Sequence, residues 1–150
     1  ARDAGDRETT AIALLNLAMA TAGASVDDRV PAMLREALDI ASEIGSKPVA
    51  QSVLEVSAGL AASHGDWPRA ARLYGVAEGR AARTGLHRDP ADEAFLAPLI
   101  ARARHALGDA AFAAAEHAGR AMGHDAAISE VREWLRDTQA RDTAATPQGH

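Results

Sequence analysis

Hydrophobic residues recur along most of this chain at spacings of three and four, which is the period of an amphipathic helix. No stretch alternates apolar and polar residues for long enough to predict a strand. Helix-starting and helix-ending residues divide the pattern into about seven helices. We expect helix hairpins over residues 7–45, 46–85 and 89–122, followed by a last helix over 125–138. The sequence therefore predicts an all-α fold.

The first two predicted hairpins follow the same plan, 40 positions apart. Leu14 in the first corresponds to Leu54 in the second, and Ala18 corresponds to Ala58. Large and small residues that recur at equivalent positions are typical of hairpins that stack on one another. We therefore expect a right-handed stack of antiparallel hairpins, an α-solenoid, in a single domain over residues 1–138.

The last predicted helix has one apolar face and one charged face, as a helix that caps such a stack should. We expect it to close the core through Trp134. Residues 139–150 are small and polar, and are expected to form a disordered tail. Within the fifth helix Pro98 removes a backbone hydrogen bond, which predicts either a kink or a separate short helix before it.

Residues that can accept a hydrogen bond from the first turn stand at the start of four predicted helices. They are Asp27 or Asp28, Ser46, Asp66 and Asp89. On the fourth helix, four arginines share one outer face: Arg69, Arg72, Arg80 and Arg83. That stripe could bind an acidic partner or a phosphate, but the net charge of −5 favours a solvated outer face.

Composition excludes several classes of function. The net charge of −5 argues against a surface dedicated to nucleic acid. The absence of cysteine excludes disulfides, thiolate catalysis and cysteine-ligated metals, and is compatible with a cytoplasmic location. No apolar run approaches a membrane span or a secretion signal, so we expect no membrane association. Because the first residue is Ala1 rather than Met, we expect the chain to be a piece of a longer protein.

Motifs for catalysis are missing. The sequence has no phosphate-binding loop, and its single lysine is Lys47. The glutamates on the predicted helices fall on separate faces, which gives no support for a catalytic carboxylate pair. His87 with Asp89 and Asp92 is a weak metal candidate, since such residues near a helix start are commonly caps. We therefore predict no enzyme activity, no metal and no cofactor.

Several segments of the chain resemble helical-repeat families. Residues 13–18 (ALLNLA) and 65–74 (GDWPRAARLY) resemble the helices of tetratricopeptide repeats. Much of the rest is similar to the C-terminal repeats of large bacterial signalling ATPases and of MalT-like or LuxR-like transcriptional regulators. The matching segments are residues 70–78, 90–92, 106–115, 119–122 and 126–135. The chain departs from the usual pattern in its 40-residue period, in Ser57 where leucine is usual, and in Pro98.

The resemblance implies a non-catalytic interaction or sensor domain of a bacterial regulator, which binds a protein, a peptide or a small effector. A concave groove of first helices should bind the partner, and its predicted lining residues are Asn16, Gln51, Ser52, Glu55, Ser63 and His64. The alternative is a purely structural module that docks on an upstream ATPase domain of the same chain or associates with itself as a homodimer. For self-association, Ile12, Leu15 and Met19 are predicted to form an exposed apolar ridge.

Overall fold

Seven helices make up the described part of the chain, residues 2–145 of the computed structural model, and these residues contain no strand. The helices are α1 (Arg2–Ala24), α2 (Arg29–Ile44), α3 (Lys47–Ser63), α4 (Trp67–Thr84), α5 (Pro90–Leu107), α6 (Asp109–Arg120) and α7 (His124–Ala145). The prediction of an all-α fold is confirmed. Within this part of the chain, each helix is too short or too polar to cross a lipid bilayer.

Local capping residues set the helix starts as the sequence predicts. The side chains of Ser46, Asp66 and Asp89 accept hydrogen bonds from backbone N–H groups of α3, α4 and α5. At the start of α2 the carboxylate of Asp27, rather than that of Asp28, accepts from the N–H of Arg29 at 2.9 Å. Pro98 lies inside α5, which continues through it as one helix, so the separate short helix does not form.

The helices pack in sequential pairs and also side by side. Helix α1 contacts α2, α3 contacts α4, and α5 contacts α6. In addition, α3 lies against both α1 and α5, and α4 lies against α6. All seven helices contribute side chains to the core, most of them leucine, valine and alanine. The largest fully buried side chain is that of Phe112 in α6.

The contact between α4 and α6 brings two backbones close together through glycine. A Cβ atom built on Gly75 would lie 2.0 Å from the carbonyl oxygen of Glu116, and one on Gly119 would lie 2.0 Å from that of Arg72. Real Cβ atoms do not approach an oxygen so closely, so neither position accepts a side chain unless the helices separate. Glycine at these two positions therefore sets the distance between α4 and α6.

Helix α7 folds back over earlier helices instead of continuing the series beyond α6. It packs mainly on α2, with smaller contacts to α3 and α4. Thr143 reaches Asp28 at the start of α2, and Glu130 reaches Arg69 near the start of α4. Earlier residues of α7 meet later residues of the same helices: His124 contacts Arg80 near the end of α4, and Arg132 pairs with Asp39 in the second half of α2. Helix α7 therefore runs antiparallel to both helices. Trp134 is only 6% exposed, which confirms that this helix closes the core.

The predicted disordered tail begins too early. Helix α7 extends to Ala145, and Thr138 and Asp142 are buried against the rest of the protein. The Asp142 carboxylate lies 2.9 Å from Nε2 of His64, and this contact across 78 positions accounts for the extra turns. Residues 146–150, the end of the predicted tail, lie outside the described residues.

The arginine stripe of α4 is largely covered, which corrects the predicted solvated face. Arg69 and Arg72 both pair with Glu130 of α7, at 2.9 and 2.7 Å. Arg80 is buried, and Arg83 donates to the carbonyl of Arg120 at 3.5 Å. The helical phase identifies one shared face correctly, but it does not show that α7 and the end of α6 cover that face.

Replacing Gly75 with alanine should destabilise the protein by about 1–3 kcal/mol, because the new methyl group would force α4 and α6 apart. Gly23→Ala is the matched control. No atom lies within 4 Å of a Cβ at Gly23, so the control should be neutral or stabilising by up to about 1 kcal/mol. Urea denaturation of both variants measures the difference. Equal stability of the two would contradict the close approach of the helices.

Candidate functional site

A cavity of about 510 Å³ lies between α1, the first half of α3, the start of α5 and the connection that precedes α5. Four of the six predicted groove residues line it: Asn16, Gln51, Ser52 and Glu55. We call it the acidic groove, because Glu8, Glu55, Asp89 and Asp92 are also among its lining residues while lysine and arginine are not.

The other two predicted groove residues lie elsewhere, at the C-terminal end of α3. The hydroxyl of Ser63 donates to the carbonyl of Leu60 within its own helix. His64 places one ring nitrogen near the same carbonyl and the other near Asp142 of α7. These contacts join the end of α3 to α7, and neither Ser63 nor His64 lines the acidic groove.

Hydrogen bonds fix the floor of the acidic groove. Nε2 of Gln51 donates to the carbonyl of Ala77 at 2.8 Å and to Oε2 of Glu55 at 3.1 Å. The hydroxyl of Ser52 donates to Oδ2 of Asp92 at 2.8 Å. The remaining side-chain acceptor of Gln51, Oε1, is buried and has no hydrogen-bond partner. A buried acceptor of this kind costs free energy until a donor reaches it.

Burial changes the protonation of the two innermost carboxyl groups. Burial raises the pKa of Glu55 to about 7, and the nearby charge of Asp92 acts in the same direction. Burial also raises the pKa of Asp92, although hydrogen bonds from Ser52 and Glu55 oppose that rise. The two carboxyl groups therefore interact, and burial favours the protonated form of Glu55 up to about neutral pH.

A single cation behind the groove, Arg88, is shared among several carboxylates. It forms ion pairs with Glu78 and with Glu93, the latter at 2.7 Å, and its Nε lies 3.3 Å from Oε2 of Glu55. Its guanidinium also lies 5.5 Å from the centre of the Tyr74 ring. Arg88 lowers the pKa of Glu55, but its charge is divided among several carboxylates, so it offsets the effect of burial only in part.

Sequence reasoning missed the pairing of Glu55 with Asp92. It compared carboxylates within single helices, whereas this pair joins α3 to α5 through tertiary packing. His87, Asp89 and Asp92 do line the same groove. Even so, no group of three or more histidine, aspartate or glutamate side chains within the described residues is arranged to hold a metal ion.

The predicted apolar ridge on α1 is not exposed as a whole. Ile12 is 47% exposed, but Leu15 is only 4% exposed and Met19 is half-buried against the core. Helix α3 covers α1 on that side, so Leu15 belongs to the core and is not part of an exposed surface. Self-association through α1 stays a prediction.

In comparisons with known proteins, no protein-family model matches the chain, and no curated protein or solved structure matches it significantly.

We predict that Glu55 makes stability depend on pH. Its pKa is about 4.5 in the unfolded chain and about 7 in the folded protein, so its stabilising contribution is complete below about pH 4.5. That contribution is lost as the pH rises through about 7. Urea denaturation across this range should show a smaller loss of stability for Glu55→Gln than for the wild type. Glu36→Gln, at an exposed position on α2, is the control and should keep the wild-type slope. Parallel curves for all three proteins would contradict the assignment.

Proposed function

We propose that this chain is a non-catalytic interaction domain whose acidic groove receives a basic side chain of a partner protein. The observation that carries the proposal is the unpartnered Oε1 of Gln51, a residue that lines the same cavity as Glu55 and Asp92. A guanidinium or ammonium group supplies the missing donor and a compensating positive charge.

The walls of the groove suit the rest of such a side chain. Ile12, which is 47% exposed, contributes apolar surface to the lining. Lysine and arginine lay their aliphatic stems along apolar surface while their charged ends reach polar partners. Arginine fits better than lysine, because its planar group can donate to Gln51 and Asp92 at once.

The protonation of Glu55 has a consequence for binding. A cation in the groove favours the charged form of Glu55 and should displace its proton. Affinity for a basic side chain should therefore rise as the pH increases through about 7, where Glu55 titrates.

The helix contacts support a wider arrangement in which the three hairpins form a tetratricopeptide-like stack. The first helices of the pairs, α1, α3 and α5, lie side by side, and the acidic groove opens among them. A row of first helices is the concave partner-binding surface of such repeats. Membership of a bacterial transcriptional regulator is part of the same proposal, and it depends on the resemblance of the helix motifs alone.

A short peptide tests the groove directly. We expect acetyl-Ala-Arg-Ala-amide, titrated to millimolar concentration, to shift the NMR signals of Asn16, Gln51 and Ser52. Its norleucine counterpart, which keeps the stem without the charge, should leave them in place. The shifts should weaken in Asp92→Asn and persist in Glu36→Gln, since Glu36 is exposed on a different helix.

Equal shifts with the norleucine peptide, or shifts unaffected by Asp92→Asn, would contradict recognition of a basic side chain. Failure of binding to strengthen between pH 6 and 8 would contradict the role given to Glu55.

A further inference from the structure

A second cavity of about 510 Å³ has the opposite charge. It lies between the end of α2, the start of α3, the end of α4 and the start of α7. Its charged and titratable lining residues are Lys47, Arg80, Arg83 and His124, and its lining includes no aspartate or glutamate. We call it the basic cavity. A cavity whose charged lining residues are all basic is unexpected in a chain whose net charge is −5.

Arg80 is the central group of the basic cavity. The residue is only 7% exposed, and within the described part of the chain it forms no ion pair with a carboxylate. Its Nη1 donates to Nδ1 of His124 at 2.7 Å, its Nη2 donates to the carbonyl of Lys47 at 3.4 Å, and its Nε has no partner. The buried guanidinium therefore lacks both a counter-charge and a full set of acceptors.

The other arginines of the same stripe show what is missing. Arg69 and Arg72 both pair with the carboxylate of Glu130, so each has a counter-charge from α7 within 3 Å. Arg80 meets α7 at His124, which offers a neutral nitrogen instead. Burial, and then the neighbouring charge of Arg83, lower the pKa of Arg80, as expected for a cation without a counter-charge. A buried cation that is neither paired nor neutralised is costly, which points to an anion supplied from outside the chain.

Helix dipoles are not the source of the positive potential. The N-termini of α3 and α7 border the cavity, but so do the C-termini of α2 and α4. Their partial charges have opposite signs and largely cancel. The potential therefore comes from the side chains of Lys47, Arg80 and Arg83.

We propose that the basic cavity binds a small phosphate monoester with a compact apolar body. Arg80 has an unpartnered Nε, and Arg83 makes only long contacts of 3.5 Å to the carbonyls of Arg120 and Met122, so each has donor capacity left for a phosphate group. Lys47 adds an ammonium group to the same lining. The remaining walls include Leu38, Ala41, Ala50 and Ile128, which can cover an apolar body. The site is separate from the acidic groove and lies on the side of α3 that faces α2 and α7.

Phenyl phosphate is a suitable probe, because it combines a phosphate group with an apolar ring. Isothermal titration calorimetry should detect its binding to the wild-type protein, with weaker binding of benzyl alcohol, which lacks the charge. Arg80→Gln and Arg83→Gln should each weaken phenyl phosphate binding about tenfold or more, the loss expected for one charge-assisted hydrogen bond. Arg102→Gln makes the same change of charge at an exposed position of α5 outside the cavity, and should leave binding unchanged.

Stability separates a binding role from a structural one. If Arg80 is retained for an anion, Arg80→Gln should keep or raise the melting temperature measured without phosphate, and should lose the stabilisation that phenyl phosphate gives the wild type. Arg83 and Lys47 lie at exposed positions, so their variants should fold. The proposal would be overturned if Arg80→Gln lowered the melting temperature strongly and if Arg83→Gln and Lys47→Gln bound phenyl phosphate as well as the wild type. Benzyl alcohol binding as tight as that of phenyl phosphate would also overturn it. Asp92→Asn should not affect phenyl phosphate binding, because Asp92 lines the acidic groove and not the basic cavity. Failure of the basic-cavity proposal is therefore distinguishable from failure of the acidic-groove proposal.

Discussion

The contact of α4 with α6 at Gly75 and Gly119 is the constraint on which the rest of the arrangement depends. Two backbones that meet without intervening side chains allow only a narrow range of separations and angles. This contact holds α6, and through its hairpin α5, against the middle of the molecule. On the far side, the ring of Phe95 fills the space above Gly59, so that α5 is also fixed against α3. Asp92 meets Ser52 and Glu55 because both contacts are in place.

Charge in this protein is buried in two opposite ways. In the acidic groove, excess carboxyl groups are accommodated because one of them keeps its proton and because Arg88 is shared. In the basic cavity, Arg80 cannot lose its charge by deprotonation, since a guanidinium stays protonated. The two sites therefore have different requirements. The acidic groove can adjust by titration without a ligand, whereas the basic cavity can be neutralised only by a bound anion.

Local features of the sequence determine what could be predicted. The caps at Ser46, Asp66 and Asp89 depend on neighbouring residues, and they set the helix starts correctly. Four of the six predicted groove residues line one cavity because helical phase places them on one side of α1 and α3. Helical phase identifies a face but not what covers it. The pairing of Glu55 with Asp92, and the cover that α7 gives to the arginines of α4, depend on contacts between helices that are distant in sequence.

The position of α7 affects the order in which the molecule can form. Most helical repeats contact only their neighbours, which keeps interactions local and folding fast. Here the last helix returns to the first hairpin, and its hydrogen bonds join Thr143 to Asp28 across 115 positions and Gln139 to Arg35 across 104. The contact of α2 with α7 thus can form only after the seventh helix has been synthesised. Completion of the core is a late event, unlike that of a repeat array which grows from its first unit.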